Sequence, residues 1–258
     1  MPQNVTHLNK RQTQIVDALR RLGYVAIDDL AQEFSVTQQT IRRDINRLCD
    51  LGLMKRFHGG AVQTGQARNI PFDKRQNLLS SEKSLIAERI VSHIPDGSSL
   101  FLDVGTSMDA VARALLVRAN LRIVTSNLYA AQILGKRDDY DVIATGGVVR
   151  PQDGSCVGEE ALRSIRQYYM DFAIISTSGI NRQGVLLDFD VRKVRVTEAM
   201  IERGYQVILS ADHSKMERRA MIQCEPLSKI DILVTDTQPD TWLLKLAQES
   251  STSIEVVS

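Results

Sequence analysis

Side chains suited to reading nucleic-acid bases recur at short spacing near the start of the 258-residue chain. Arginine pairs bidentately with guanine, and glutamine or asparagine pairs with adenine. The residues of these types are Gln38, Gln39, Arg42, Arg43 and Asn46. We therefore expect this segment to contact base edges in a groove of DNA.

Cationic residues and a histidine follow within the same region and suit contacts with phosphates. They are Arg47, Lys55, Arg56 and His58. Counting Lys, Arg, Asp and Glu from Thr37 to Gly60 gives five positive and two negative residues, a local charge of +3, whereas the whole chain carries +1. A basic surface must therefore be local.

Helical spacing of apolar residues predicts the elements that position these side chains. Ile41, Ile45 and Leu48 form one stripe behind Thr37, a good N-cap, and Gly52 is expected just beyond the helix end. Apolar residues predict two earlier helices, over 15–22 and 27–34, and a hairpin over 53–60. This layout is typical of a winged helix-turn-helix. The alternative is an ordinary amphipathic helix with a solvated charged face.

A second set of residues follows the apolar, strand-like runs of the remaining chain. Glycines allow close approach, hydroxyls and amides offer hydrogen bonds, and helix N-termini and arginine suit anions. The set comprises Asp103, Gly105, Thr106, Ser107, Thr125, Ser126, Asn127, Gly146, Gly147, Arg150, Ser178, Gly179, Asp212 and Lys215. If these ends share one edge of a sheet, they predict a site for a small phosphorylated ligand. The alternative at each position is common turn chemistry.

Strand-like runs that alternate with helical patterns predict an α/β domain with a mainly parallel sheet. The predicted strands are 99–103, 121–125, 140–145, 171–176, 205–211, 231–235 and 254–257. The predicted helices between them are 108–117, 129–135, 159–168, 192–203 and 240–249, and Ser81 is expected to cap one that precedes the first strand. We expect a DNA-binding domain over 8–63, a linker over 64–80 and the α/β domain over 81–258.

Candidate bases for sugar-phosphate proton transfer are Asp103, Asp190, Asp212 and His213, but the fourth strand end, 176–180, contains no acid. The sequence also lacks the Gly-x-Ser-x-Gly, HExxH and P-loop motifs. We therefore predict binding without turnover, with an isomerase-like enzyme as the alternative.

Three widely spaced cysteines form no metal-ligand pattern, and we expect neither a metal nor a cofactor. The N-terminal residues lack the apolar core of a signal peptide, and no apolar run is long enough to span a bilayer. We expect a cytoplasmic protein without a membrane partner.

The chain resembles the DeoR family of bacterial repressors over residues 8 to 257. The resemblance rests on Thr37–Asp44 with His58–Ala61, on Asp103–Thr106, and on Ala211–Lys215. It implies a winged helix-turn-helix in which Thr37 and Thr40 join the DNA-contacting set. It also implies a sensor similar to ribose-5-phosphate isomerase, in which Thr177–Gly179 replaces the enzyme's acidic loop. A phosphorylated sugar or polyol would release the operator.

Within the family, stretches such as Leu186–Asp190 resemble members that respond to glycerol 3-phosphate, the leading single effector candidate. Ser107 and Ser126 differ from the Thr and Asn typical of those members, so other sugar phosphates remain open. An activator role also remains open. Because helix-turn-helix proteins usually read paired half-sites, a homo-oligomer, dimer or tetramer, is expected.

Overall fold

The structure is a computed structural model, and it describes residues 8–22, 24–57, 59–62 and 71–257. The chain divides into two compact units between Lys74 and Arg75. Among the described residues, no helix is both long and apolar enough to cross a membrane.

The first unit contains three helices and a small antiparallel sheet within its described residues. The helices are α1 (Lys10–Leu22), α2 (Ile27–Glu33) and α3 (Gln38–Asp50), and the strands are β1 (Tyr24–Ala26), β2 (Lys55–Phe57) and β3 (Gly60–Val62). The sheet order is β1-β3-β2, so the predicted hairpin gains a third strand that the sequence did not suggest. Three residues are too few for alternation to reveal a strand.

Helix α3 has the ends and the buried stripe that the sequence predicts. The Thr37 hydroxyl accepts a hydrogen bond from the backbone N–H of Thr40 at 3.2 Å. Ile41, Ile45 and Leu48 are buried. Beyond Asp50, the N–H of Leu53 bonds to the carbonyl of Leu48 at 3.0 Å and ends the helix. The prediction of this helix is confirmed.

Asp44 joins α3 to α1 from the buried side of the helix. Its carboxylate accepts from Arg11 Nε at 2.6 Å and from Gln12 Nε2 at 2.8 Å. Asp44 and Gln12 are both buried. In the sequence, Asp44 is recognisable only as a negative charge, because its two partners lie on another helix.

Replacing Asp44 by alanine should destabilise the first unit by about 1–3 kcal/mol, because the buried Gln12 amide loses its acceptor. Denaturant unfolding of the full chain, followed by circular dichroism, measures the change. Asp50→Ala is the matched control, since Asp50 is exposed on the same helix. Equal midpoints for the two variants would contradict a structural role for Asp44.

The second unit is a three-layer α/β/α fold. Helix α4 (Phe72–Asn77) contains the boundary between the units, and the helices that follow it are α5 (Ser80–Ser92), α6 (Thr106–Leu115), α7 (Leu128–Leu134), α8 (Glu159–Arg166), α9 (Val191–Arg203) and α10 (Thr241–Ser250). Its central strands are β4 (Ser99–Leu102), β5 (Arg122–Thr125), β6 (Asp141–Ala144), β9 (Met170–Ser176), β12 (Gly204–Ser210), β14 (Ile232–Thr235) and β15 (Ser253–Val256). Their order is β15-β14-β12-β9-β4-β5-β6, and every pairing is parallel. The predicted parallel sheet is confirmed.

Alternate residues of the strands enter two separate cores. Leu100 and Leu102 of β4 pack with residues of α5, α6 and α7, whereas Phe101 packs with residues of α8, α9 and α10. A sheet covered on both faces needs apolar residues at successive positions. This requirement explains the continuously apolar strands of the sequence.

Short strands flank this sheet. β7 (Val148–Val149) pairs with β8 (Cys156–Val157), and β10 (Gly179–Ile180), β11 (Val185–Asp188) and β13 (Ile222–Pro226) form an antiparallel sheet. These short strands were not predicted from the sequence.

Two features of the expected linker differ from the prediction. Residues 72–77 are helical, although their sequence shows no clean apolar period. Helix α5 begins at Ser80 after Leu79, and the Ser81 hydroxyl donates to Glu82 Oε2. The expectation that Ser81 caps this helix is therefore wrong.

Candidate nucleic-acid interface and ligand site

The proposed DNA-contacting residues of the first unit lie on one face of α3 and on β2. Exposed side chains are those of Thr37, Gln38, Gln39, Arg42, Arg43, Arg47, Lys55 and Arg56, while Thr40 and Asn46 are half-buried. His58 lies outside the described residues. This face is polar and cationic, as a surface that enters a DNA groove requires.

One pair within this set already interacts. Arg56 Nη2 of β2 donates a hydrogen bond to Asn46 Oδ1 of α3. The Thr37 and Thr40 hydroxyls lie 3.0 Å apart at the other end of the helix. Thr37, Thr40 and Asn46 therefore also organise the surface.

The second unit has a topological switch point between β4 and β9. From β4 the chain builds outward through β5 and β6, then returns to β9 and builds the other way through β12, β14 and β15. Crevices outside the carboxyl ends of such strands are the ligand sites of open α/β sheets. Asp103 follows β4, and Thr177 and Ser178 follow β9, so the predicted residues meet at this crevice.

Asp103 is fully buried and is held by several groups around it. Its carboxylate accepts from the N–H of Ser176 at 3.1 Å and from Thr197 Oγ1 at 3.2 Å, and Lys193 Nζ lies 3.5 Å away. Asp103 therefore positions β9 and α9. Its carboxylate is not available as a base.

Lys193 is a buried cation that the sequence analysis missed. Its Nζ donates to Asp188 Oδ2 at 2.9 Å, and Ser178 Oγ donates to the same oxygen at 3.1 Å. Burial disfavours the charge of Lys193, but Asp103 and Asp188 outweigh it and raise its pKa above the ordinary value. The spacing of Lys193 from Thr197, one turn later on the buried face of α9, could have indicated this position.

Thr125 and Asn127 shape the ends of β5 and α7. Thr125 Oγ1 donates to the carbonyl of Leu102 at 2.6 Å, and Asn127 Oδ1 caps α7 through the N–H groups of Tyr129 and Ala130 at 3.0 and 3.1 Å. Asn127 Nδ2 donates to Asp109 at 2.9 Å. These are the turn roles that the sequence analysis left open.

Other buried polar atoms on the same edge have no hydrogen-bond partner among the described residues. They are Ser126 Oγ, Thr145 Oγ1, Asp212 Oδ2 and Arg150 Nε. Because unpaired buried polar groups are costly, their concentration at strand ends points to a ligand that supplies the missing bonds.

Helix α6 turns its N-terminus toward the crevice. Thr106 and Ser107 form its first turn and are buried, and the N-cap residue, Gly105, has no side chain that could cap the helix. Gly105 has a φ of 126°, and a Cβ there would lie 3.3 Å from Ser176 Oγ. A helix N-terminus with open N–H groups favours an anion.

Arg150 is held beside the β7–β8 hairpin. Its Nη2 donates to Asp153 Oδ2 at 2.9 Å, and its Nη1 lies 3.2 Å from Asp190 Oδ2. Gly146 and Gly147 are exposed, and a Cβ on Gly147 would lie 2.6 Å from the carbonyl oxygen of Val157. Gly147 is thus required by the close approach of these backbones. Gly179 is constrained similarly, since its Cβ would lie 2.1 Å from the carbonyl oxygen of Arg218.

Four cations lie close enough for their charges to act on one another: Arg75, Lys83, Lys215 and Arg218. Burial, then Lys215, lowers the pKa of Lys83 to about 8, and burial, then Arg218 and Arg75, lowers that of Lys215 to about 8. Burial and Arg75 lower the pKa of Arg218 to about 10. Within this cation cluster, burial and mutual repulsion disfavour the charged forms of the side chains. A bound anion would offset this repulsion.

Only Lys215 of this cluster was predicted from the sequence as a ligand-binding residue. Arg75 lies in the expected linker, and Arg218 lies in a loop after the quoted motif. Lys83 shares the buried face of α5 with Ile86 and Ile90, a helical spacing that could have indicated a buried lysine. No group of three or more metal-ligating side chains is found in the described part of the chain.

The charge of Lys215 should make the ligand-free chain less stable at neutral pH. Its folded pKa of about 8 lies below the ordinary 10.5, so the unfolded chain binds more protons between these values. Lys215→Met should therefore be more stable at pH 7 by about 1–3 kcal/mol, less than the roughly 3.4 kcal/mol that a shift from 10.5 to about 8 corresponds to at about 1.36 kcal/mol per pKa unit.

This difference in the free energy of unfolding should shrink as the pH rises from 8 to 10.5, because wild-type Lys215 then loses its charge. Urea unfolding of both proteins at several pH values measures it. A constant difference across the window would contradict the assignment.

Both units of the chain match models of known protein families. Residues 11–66 match the family model described as a DeoR-like helix-turn-helix domain, and residues 79–237 match the DeoR C-terminal sensor domain. The two units thus define a DNA-binding transcriptional regulator with a sensor domain.

The chain is similar to transcriptional repressors over nearly the full length of both proteins. The glycerol-3-phosphate regulon repressor of Escherichia coli (strain K12) is 40% identical over 247 residues, which cover 96% of this chain and 98% of that protein. The repressor of the same name from Haemophilus influenzae is 40% identical over 230 residues, 89% of this chain and 90% of that protein. The transcriptional repressor CsqR of Escherichia coli is 34% identical over 246 residues, 95% and 94% of the two chains.

The chain belongs to the DeoR family. The prediction of a transcriptional regulator, and not an enzyme, is confirmed by these relatives. Among solved structures, ribose 5-phosphate isomerase A from Neisseria gonorrhoeae aligns with a TM-score of 0.40 and 14% identity over 53% of each chain.

Proposed function

We propose that this chain represses transcription by binding an operator and is released when a phosphorylated sugar or polyol enters the crevice of the second unit. The observation that carries the effector proposal is the cation cluster, set beside buried polar atoms that lack partners. Cations suit a phosphate, and hydroxyls with carboxylates suit a polyhydroxylated ligand.

Glycerol 3-phosphate is the first candidate, because two relatives at 40% identity are named after its regulon. The geometry supports the following residue roles in this proposal. Lys215, with Lys83 and Arg218, would hold the phosphate near the N-terminus of α6. Ser126, Thr145, Arg150 and Asp212 would hold the hydroxyls, while Asp103, Thr125 and Asn127 keep the edge in shape.

On the first unit, Gln38, Gln39, Arg42 and Arg43 would contact bases, and Arg47, Lys55 and Arg56 would contact phosphates. Reading paired half-sites would require a homo-oligomer, which acts in the cytoplasm in this proposal.

A thermal-shift comparison of glycerol 3-phosphate with glycerol tests the effector. A ligand at 100 times its dissociation constant adds about 2.7 kcal/mol of stability, or several degrees at roughly 2–4 °C per kcal/mol. We expect a shift with glycerol 3-phosphate alone. A shift with ribose 5-phosphate instead would support a different sugar phosphate. No shift with either, or an equal shift with glycerol, would overturn the proposal.

A further inference from the structure

One ammonium group bonds to two carbonyls at the joint between α4 and α5. Lys83 Nζ donates to the carbonyls of Arg75 and Leu78, each at 2.5 Å. Between them and α5 lies Leu79, with a φ of 54°, a left-handed conformation that disfavours residues other than glycine. The two bonds of Lys83 therefore hold a turn whose backbone conformation is unfavourable.

The same ammonium belongs to the cation cluster. It is buried, and the charged groups that face it are Lys215 and Arg75, which lower its pKa, and Asp212 and Asp109, which raise it. An ammonium has three N–H donors, and the two carbonyls use two of them. A phosphate can take the third without breaking either bond.

We propose that an anion bound in the cation cluster locks the α4–α5 joint through Lys83. The inference rests on the proposed function and adds a way in which ligand binding could affect the segment between the two units. The anion opposes the repulsion from Lys215 and Arg75, keeps Lys83 protonated, and so strengthens its bonds to the two carbonyls.

The location of this joint gives the locking a consequence. Helix α4 contains the boundary between the two units, which falls between Lys74 and Arg75. The chain therefore enters the second unit through the helix whose C-terminal carbonyls Lys83 holds. Occupancy of the ligand site changes the stability of the segment that links the units.

Hydrogen–deuterium exchange of peptides that cover residues 71–80 tests the lock in the full-length chain. At pH 9, saturating glycerol 3-phosphate should slow their exchange on the order of tenfold, because the bound anion keeps Lys83 protonated, whereas most of the ligand-free chain has lost this charge. In Lys83→Met, at 100 times the variant's own dissociation constant, exchange should be fast with and without ligand. Lys245→Met is the control, because Lys245 is exposed on α10 and should behave as wild type.

The pH profile separates this role from a merely structural one. In the ligand-free wild type, protection of residues 71–80 should fall between pH 7 and 9, and the ligand should remove this fall. The wild-type profile decides the question even if Lys83→Met does not fold.

The outcomes are distinguishable by calorimetry on the same samples. Binding of glycerol 3-phosphate or inorganic phosphate without any slowing of exchange at residues 71–80 would overturn the inference alone. Absence of binding of both by the wild type would overturn the proposed effector site as well.

Discussion

Lys215→Met is expected to weaken the binding of glycerol 3-phosphate by about 10- to 100-fold, because it removes a charge-assisted hydrogen bond of about 1.5–3 kcal/mol. Lys215 is nearly buried, and its Nζ lies 3.7 Å from Asp212. Isothermal titration calorimetry of the variant and the wild type measures the change. Affinity for operator DNA should stay the same, since the substitution is in the second unit.

The same substitution should raise the stability of the ligand-free chain, so binding and stability change in opposite directions. This combination is typical of a residue kept for function at a cost in stability. Lys245→Met provides the control, since its side chain is mostly exposed. Unchanged affinity in Lys215→Met would place the phosphate elsewhere.

Arg43→Ala should cost about 1–3 kcal/mol in operator binding, and the loss should be confined to one base pair. Arg43 is exposed on α3, on the same face as the other residues that are proposed to contact bases. Fluorescence anisotropy with a set of operators, each carrying one changed base pair, measures the effect. The variant should no longer discriminate at that position.

Arg47→Ala is the matched comparison on the same helix. It should weaken binding to all sequences about equally and reduce the salt dependence by about one ion. If Arg43→Ala instead weakens every sequence equally, Arg43 contacts a phosphate and the proposed reading of bases is wrong.

The sequence was sufficient to predict the parallel sheet and α3, because both follow from local patterns. Strands covered on both faces are continuously apolar, and α3 has an N-cap, a stripe and an end within 17 residues of sequence, from Thr37 to Leu53. The strands β7, β8 and β10, of two residues each, are too short to show a period.

The position of the crevice was predictable from the sequence, but the hydrogen-bond partners of its side chains were not. Parallel strands put their carboxyl ends on one edge, so Asp103, Ser126 and Asp212 could be assigned to it. Whether each side chain is already hydrogen-bonded within the protein depends on residues far away in the sequence. Asp103 is occupied by Thr197 and Lys193, which lie 94 and 90 positions later (197 − 103 and 193 − 103). No spacing within one motif reveals such contacts.

The most direct test of the account is release of operator DNA by the effector. The full-length chain would be bound to labelled DNA selected from a randomised library, and anisotropy would be followed as glycerol 3-phosphate or glycerol is added. The account predicts release by the phosphorylated compound, none by glycerol, and none by either for Lys215→Met at the same concentration. Release of the wild type by glycerol, or equal release of both proteins, would contradict it.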